Sequence, residues 1–329
     1  MEKIDRRNFI KTIVGFGIAV GSSLSSMAHK SSSLDASRIV IVKHPEAVSG
    51  MSLNSRIVRK TVNEGVMSYT GQKSVADAYA SILTPFSLDD IVTIKVNCIN
   101  SQLPTHIEVV DAVVEGLISA GVKDSNIIIW DRTNHELIKC GYRYNISKSG
   151  VRCFGTDQKG WGYDKQARIA NQNVRLSKIL TSSDHIINIP VLKDHGTAGV
   201  TLSMKNHYGS VDNPGSLHGD QCNPYIPELN NVPEIRDKTR LIVLDGFLGI
   251  YTGGPGGTPQ FAYNGVIIGQ DPVAVDYQGW SIIDSERRKR GQIMPQPKHI
   301  VTSAKIGIGV NDPGNIQVET VEIKGGPAV

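Results

Sequence analysis

Residues 91–131 read IVTIKVNCINSQLPTHIEVVDAVVEGLISAGVKDSNIIIWD, and this stretch decides the fold. Residues 91–96 (IVTIKV) are β-branched and predict a strand, whereas 107–120 carry apolar residues at helical spacing. Thr105 and Glu108 stand at the spacing of a capping box, and Gly121 supplies the stop. A short turn leads into a second strand at 127–130 (IIIW), which ends at Asp131. Strand, helix and strand at this spacing predict a parallel crossover, the unit from which α/β sheets are built.

The alternation continues on both sides. Upstream, 38–43 (RIVIVK) predicts a strand, and helical periods run through 53–68 and 75–83. Downstream, 141–177 is irregular and glycine-rich and reads as a meander or cover. Strands follow at 185–190, 241–244, 265–268 and 317–323, with a helix-like stretch at 200–208 and a helix at 272–283 opened by Asp271 as N-cap. The expected fold is α/β, a mainly parallel sheet flanked by helices with that glycine-rich insertion in the middle, occupying residues 38–325. Such sheets hold ligands beyond the carboxyl ends of their strands.

The N-terminus reads differently. Residues 1–28 (MEKIDRRNFIKTIVGFGIAVGSSLSSMA) combine a charged head, a weakly apolar glycine-rich stretch and small residues before a cut expected after Ala28. The head, with Arg6 and Arg7 inside DRRNFIK, resembles a twin-arginine export signal with Asp5 for Ser/Thr and Ile10 for Leu. Its apolar run from Ile13 to Val20 is short against the ~30 Å of a bilayer core. Residues 29–37 (HKSSSLDAS) read as a polar linker. The resemblance implies export of a folded protein to the periplasm or cell exterior, with the twin-arginine translocase as a transient partner.

Composition narrows the function classes. The 329 residues are 40% hydrophobic and 20% charged, an ordinary globular balance. Lys+Arg 35 against Asp+Glu 31 leaves +4, far from the clustered basic charge that a phosphate backbone requires, so nucleic acid is not an expected partner. Cys98, Cys140, Cys153 and Cys222 form no C-x-x-C pair, so no iron–sulfur cluster or zinc knuckle is encoded locally, and an exported chain is free to form one or two disulfides.

Polar residues converge after the strands. Lys95 and Asn97 close the first strand, with Asn100, Thr105 and His106 following; a lysine in a buried strand calls for an anion or a carboxylate. Residues 186–209 (IINIPVLKDHGTAGVTLSMKNHYG) place Lys193, His195, Thr197, Thr201, Ser203, Lys205, Asn206 and His207 among glycines that let a ligand approach backbone donors. Asp245 ends the next strand, and Tyr251–Gly257 (YTGGPGG) reads as a loose phosphate cradle or a lid. Residues 217–222 (LHGDQC) offer His, Asp and Cys in one short run without the wider-spaced further ligand that metal sites use.

Taken in order, IVTIKVN, PTHIEVVDAVVEGLISAG, NIPVLKDHGTAGVTLSMKNHYG, DGFLGIYTGGPGG and GQDPVAVD resemble the family catalogued as domain of unknown function 362, across the chain from Arg38 to about Ile323. Some members of that family are fused to four-iron, four-sulfur modules; the C-x-x-C-x-x-C run such a cluster needs is missing here. The family is also distantly similar to the N-terminal region of lactate racemases, which use Lys and His residues around a nickel-bearing nucleotide, an analogy of fold that assigns no reaction.

These readings converge on an exported enzyme acting on a small anionic substrate or cofactor. His195, Lys205, Lys193 and His106 are the candidate catalytic groups, with His207 as a possible helper to His195. Lys95, Asn97, Thr201, Asn206, Asp245, Gly254 and Gly256 are the candidate ligand-holding positions, and the cofactor's identity stays open. The alternatives are a redox or metal-associated accessory of an exported complex and a solute-binding module without chemistry.

Overall fold

A computed structural model describes residues 36–324, so the expected leader and the linker up to residue 35 lie outside the described residues. Ten strands build the main sheet: β1 (Ser37–Lys43), β2 (Val92–Lys95), β3 (Ile127–Trp130), β4 (Arg152–Cys153), β5 (His185–Asn188), β6 (Val191–His195), β7 (Gly199–Thr201), β8 (Thr239–Ile250), β9 (Phe261–Gly269) and β10 (Ile316–Glu322). Their order across the sheet is β10-β1-β9-β8-β5-β2-β3-β4, with β6 pairing β8 and β7. From β8 to β4 every neighbour is parallel; β9 is antiparallel to both β1 and β8, and β7 to β6. The architecture is therefore α/β with a mostly parallel central sheet.

The helices that matter here are α1 (Ser55–Thr70), α2 (Val75–Leu83), α3 (Ile107–Ser119), α4 (Asn134–Lys139), α5 (Ser203–Asn206) and α6 (Pro272–Arg288). Because side chains alternate across a strand, Ile127 and Ile129 join a core with Val62, Tyr79 and Val113 of α1, α2 and α3, while Ile128 and Trp130 join another with Val273 and Ile283 of α6. Both faces of the central strands are thus buried, which explains their continuous apolar runs. The glycine-rich middle acts as cover: it holds β4 and an antiparallel hairpin (Tyr163–Ile169 with Gln172–Ser177) that sends Ile169, Val174 and Leu176 into the α6-side core.

Two local expectations need correction. The capping box at α3 is not formed: Thr105 Oγ1 accepts from Asn97 N–H at 2.9 Å and donates to the Ile189 carbonyl at 2.8 Å. The helix start is met instead by Asp245, whose Oδ2 accepts the His106 N–H at 2.9 Å. Secondly, residues 191–195 (VLKDH) form β6 instead of a loop after Pro190, and the helix-like stretch at 200–208 resolves into the end of β7, the single turn α5 and a 3-10 turn over His207–Ser210. The cause is the length of β8: at 12 residues it outruns β5 and offers a free edge, on which Val191 aligns with Asp245 and Lys193 with Ile250.

Register sets up the site. Lys95 aligns with Trp130 on one side and with Asn188 on the other, so β2, β3 and β5 end in one row. Lys95, Asn188 and Asp131, which follows Trp130, therefore meet at the carboxyl edge.

Candidate functional site

The floor of that edge is a buried polar network. Lys95, fully buried, donates from Nζ to Asp131 Oδ1 at 2.6 Å and to the Val96 carbonyl at 2.7 Å. Asp131 Oδ2 accepts the Cys98 N–H at 2.6 Å. Lys193, also fully buried, donates to Asn97 Oδ1 at 2.6 Å and to the Leu103 carbonyl at 3.0 Å. Asn97 Nδ2 donates to Asn206 Oδ1 at 3.0 Å, and Asn206 Nδ2 to Asn188 Oδ1 at 2.8 Å. Burial pushes the Lys193 ammonium down to about 8. Close approach of the next turn depends on Gly209, where a Cβ would stand 2.7 Å from Asp131 Oδ1 and 2.9 Å from Lys95 Nζ.

Above this floor stands Lys205, on the single turn α5. So short a helix does not hold itself; Asp276 of α6 holds it, accepting Ser203 N–H at 2.7 Å, Ser203 Oγ at 2.5 Å and Met204 N–H at 3.1 Å. Asp271 is the expected N-cap of α6, accepting from Val273 and Ala274 N–H at 2.8 and 3.0 Å. The D-P-V-A-V-D run thus starts one helix and anchors the T-L-S-M-K-N turn through its final carboxylate.

Lys205 Nζ lies 3.2 Å from His218 Nε2 and 3.5 Å from the centroid of the Tyr208 ring. It has no carboxylate within ion-pair distance among the described residues. Burial pushes its ammonium down to about 8. The backbone around the two histidines sets their tautomers. His218 Nδ1 sits 2.9 Å from the Pro214 carbonyl and must donate there, which leaves Nε2 as the acceptor facing Lys205. His195 Nδ1 accepts N–H groups from Thr197 and Ala198, both at 3.0 Å, so the ring proton resides on Nε2. The two rings stack at 5.8 Å between centroids. Burial, with Lys205 and His218 nearby, pushes His195 down to about 3, and burial lowers His218 as well.

These groups surround a cavity of about 170 Å³ whose lining includes Asn97, Asp131, His195, Thr201, Lys205 and Asn206. Thr201 Oγ1 is buried there without a hydrogen-bond partner. His218, Tyr208 and the Arg132–Glu136 pair also line it. Sequence reasoning considered His218 only as a metal ligand and passed over Tyr208; the H-G-D-Q-C run was the available signal. Among the described residues no group of three or more His, Cys, Asp or Glu side chains is placed to hold a metal ion. A larger groove, of about 800 Å³, runs past Lys43, Tyr263, Glu286 and Lys289, and three of its charges are already engaged, Lys289 on Glu286 at 2.5 Å and Lys43 over the Tyr263 ring at 4.2 Å.

Of the eleven positions singled out in the sequence, His195, Lys205, Asn97, Thr201 and Asn206 line this cavity, and Lys95 and Lys193 lie beneath it. His106 and Asp245 form a separate pair, Nδ1 to Oδ2 at 2.7 Å; burial works against the imidazolium, and the carboxylate overrides it, so the His106 pKa is raised. His207 is buried against Ser210 and Asn188, facing a different cavity. Gly254 does not offer its N–H to a ligand: Asp194 Oδ1 accepts it at 2.6 Å, and a Cβ there would meet the Asp194 carbonyl at 2.2 Å. Asn100 holds the same loop through the Pro255 and Gly257 carbonyls at 2.9 and 2.7 Å, and Pro255 closes one side of the cavity. The loop is therefore a fastened wall, and Gly256, with nothing within 4 Å of a Cβ, faces open space.

A family model described as "Domain of unknown function (DUF362)" matches residues 92–281, more than half of the chain. Among solved structures, the chain is similar to a structural-genomics target protein from Thermotoga maritima at 12% identity, covering 78% of this chain and 60% of that one, with a TM-score of 0.36. It is also similar to the lactate racemase apoprotein from Thermoanaerobacterium thermosaccharolyticum at 10% identity, covering 74% of this chain and 57% of that one, with a TM-score of 0.40. The chain thus spans less than two thirds of either structure. No curated protein sequence matches it.

Proposed function

Since the chain belongs to the DUF362 family, whose name assigns no reaction, we propose its function from the cavity itself: an enzyme that binds a small anion against Lys205 and moves a proton there. The observation that carries this reading is the unequal treatment of three buried lysines. Lys95 has Asp131 and Lys193 has Asn97 with the Leu103 carbonyl, whereas Lys205 has one imidazole nitrogen and an aromatic face. Lys193, like Lys205, has no carboxylate partner among the described residues, but two oxygen acceptors satisfy it; a buried ammonium with neither an anion nor an oxygen acceptor is costly unless a ligand supplies one. The partnerless Thr201 hydroxyl in the same cavity wants a ligand oxygen for the same reason.

Roles follow from the hydrogen bonds. With a pKa of about 8, Lys205 holds its proton in roughly nine of ten molecules at pH 7 and releases it readily. His218 Nε2 is in place to take that proton. His195 has a narrower role than the proton carrier expected from sequence: its only lone pair is engaged by two backbone N–H groups, so it acts as a fixed, neutral Nε2–H donor to developing negative charge. The resemblance of residues 1–28 to a twin-arginine signal is what supports action outside the cytoplasm.

The test is ligand co-purification. Small molecules released from the denatured full chain are compared by mass spectrometry between wild type and Lys205→Met. An anionic compound present with wild type and reduced ten- to a hundredfold with the variant is expected, matching about 1.5–3 kcal/mol for a charge-assisted hydrogen bond. A cationic ligand, or equal retention by both proteins, sinks the reading. A compound that leaves chemically unchanged on prolonged incubation points instead to a solute-binding module.

A further inference from the structure

We propose that Cys98 and Cys140 form a reversible dithiol–disulfide pair, oxidised by exchange with a small disulfide, that fastens one wall of the cavity. The two residues are 42 positions apart in sequence, and the Cys140 Sγ lies 3.5 Å from the Cys98 carbonyl. Their thiols are in side-chain hydrogen-bonding contact. No such contact joins Cys153 or Cys222 to another thiol among the described residues. Cys98 sits between Asn97 and Ile99, both lining the cavity, and its N–H is held by Asp131. Cys140 caps the C-terminal end of α4. A bond between them would tie the loop after β2 to α4, the helix that carries Glu136 into the same cavity lining.

The pair is chemically asymmetric in the way exchange requires. Cys140 is half-buried and therefore reachable, and the hydrogen bond from Cys98 lowers its pKa. Cys98 is buried, and burial together with the neighbouring thiol and Asp131 raises its pKa. Cys140 thiolate is the attacking group and Cys98 the resolving one. With oxidised glutathione, Cys140 sulfur attacks the disulfide, bonds to one glutathione and expels the other as thiolate. Cys98 sulfur then attacks Cys140 sulfur and expels the second glutathione, its own proton passing to solvent. Two protein thiols are oxidised, one disulfide is reduced to two thiols, and no other reactant is needed. The proposed export would place the chain in a compartment where disulfides form and persist.

The experiment uses the full chain, reduced and then equilibrated with oxidised glutathione at pH 8. Thiols are alkylated under denaturing conditions and the peptides mapped without reduction. Expected are one linked peptide joining Cys98 to Cys140, Cys153 and Cys222 still alkylated, and a Tm raised by roughly 8 °C, the shift anticipated for closing a loop of this length in a chain of this size. Cys98→Ser should stop at a glutathione adduct on Cys140, which shows that Cys140 attacks even if the variant is less stable. Persistence of that adduct in wild type, with Cys98 still alkylated, would overturn the proposal; so would oxidation that links any other pair.

Discussion

Replacing Lys205 by Met should make the protein more stable, while the same replacement of Lys95 should make it much less so. A folded pKa of about 8 against the ordinary 10.5 means that the unfolded chain holds its proton more tightly, which at pH 7 costs the folded state roughly 3 kcal/mol. Contact of the ammonium with the Tyr208 face returns roughly 1 kcal/mol. Met keeps the packing of the stem, so Lys205→Met should gain about 2 kcal/mol, or roughly 4 °C in Tm. Lys95→Met instead leaves Asp131 charged, buried and without its ion-pair partner, a loss of about 3–5 kcal/mol, or roughly 6–10 °C.

Acidity supplies the control. Between pH 8 and 10.5 the unfolded chain binds more protons at this position than the folded one, so wild-type stability attributable to Lys205 rises with pH through that window. The advantage of Lys205→Met should therefore shrink by about 2 kcal/mol between pH 7 and pH 9.5. Thermal melts of the three proteins by circular dichroism at both pH values read this directly. If Lys205→Met falls in Tm as far as Lys95→Met at pH 7, Lys205 is a satisfied structural lysine and the anion reading of the cavity fails with it.

Two further outcomes come from the same geometry and a third from the sequence. In ¹H–¹⁵N spectra that report imidazole tautomers, His195 should remain neutral with its proton on Nε2 down to pH 5, whereas His106 should titrate above 6.5 and drop when Asp245 is changed to Asn; a His195 that titrates near 6.5 contradicts the backbone cage around Nδ1. Since protonated His106 is favoured by folding, its contribution is complete below 6.5 and fades as pH rises through the raised value. Gly209→Ala should lower stability by about 1–3 kcal/mol, because its methyl would overlap Asp131 and Lys95; an unchanged melt would mean that the turn moves freely off the floor. If residues 1–28 act as the proposed twin-arginine leader, Arg6→Lys with Arg7→Lys should leave the precursor in the cytoplasm, measured by fractionation, since that route reads the pair and not its charge; export unaffected by the change would refute the twin-arginine reading.

Much of the frame was legible because it is local. The strand, helix and strand from 92 to 130 announce themselves by period and by Gly121, and the burial of both sheet faces is visible as unbroken apolar runs. What escaped was set by distant partners. VLKDH carries two charges and a histidine and becomes a strand only because β8 runs past the end of β5. Thr105 has the spacing of a cap but is drawn to Asn97 and Ile189, and the capping role passes to Asp245, 140 residues further on in round terms.

The same logic governs the site. Lys95, Lys193 and Lys205 all follow or end apolar strands, and composition treats them alike. Their functions diverge only in what the fold brings to each ammonium: Asp131 from the end of β3, Asn97 from the end of β2, and for Lys205 a histidine 13 residues downstream, with no carboxylate among the described residues. A carboxylate in place of His218 would have turned Lys205 into a third structural lysine. Supplying an imidazole nitrogen instead leaves the charge uncompensated among the described residues, which is the opening for the proposed anion, and leaves the proton mobile near neutral pH. Asp276, the buried acid that anchors the turn carrying Lys205, is committed to Ser203 and the backbone of Met204. The fold therefore uses a buried acid to aim Lys205 and brings none within ion-pair distance of its ammonium among the described residues, an arrangement that costs stability and accords with the proposed anionic ligand.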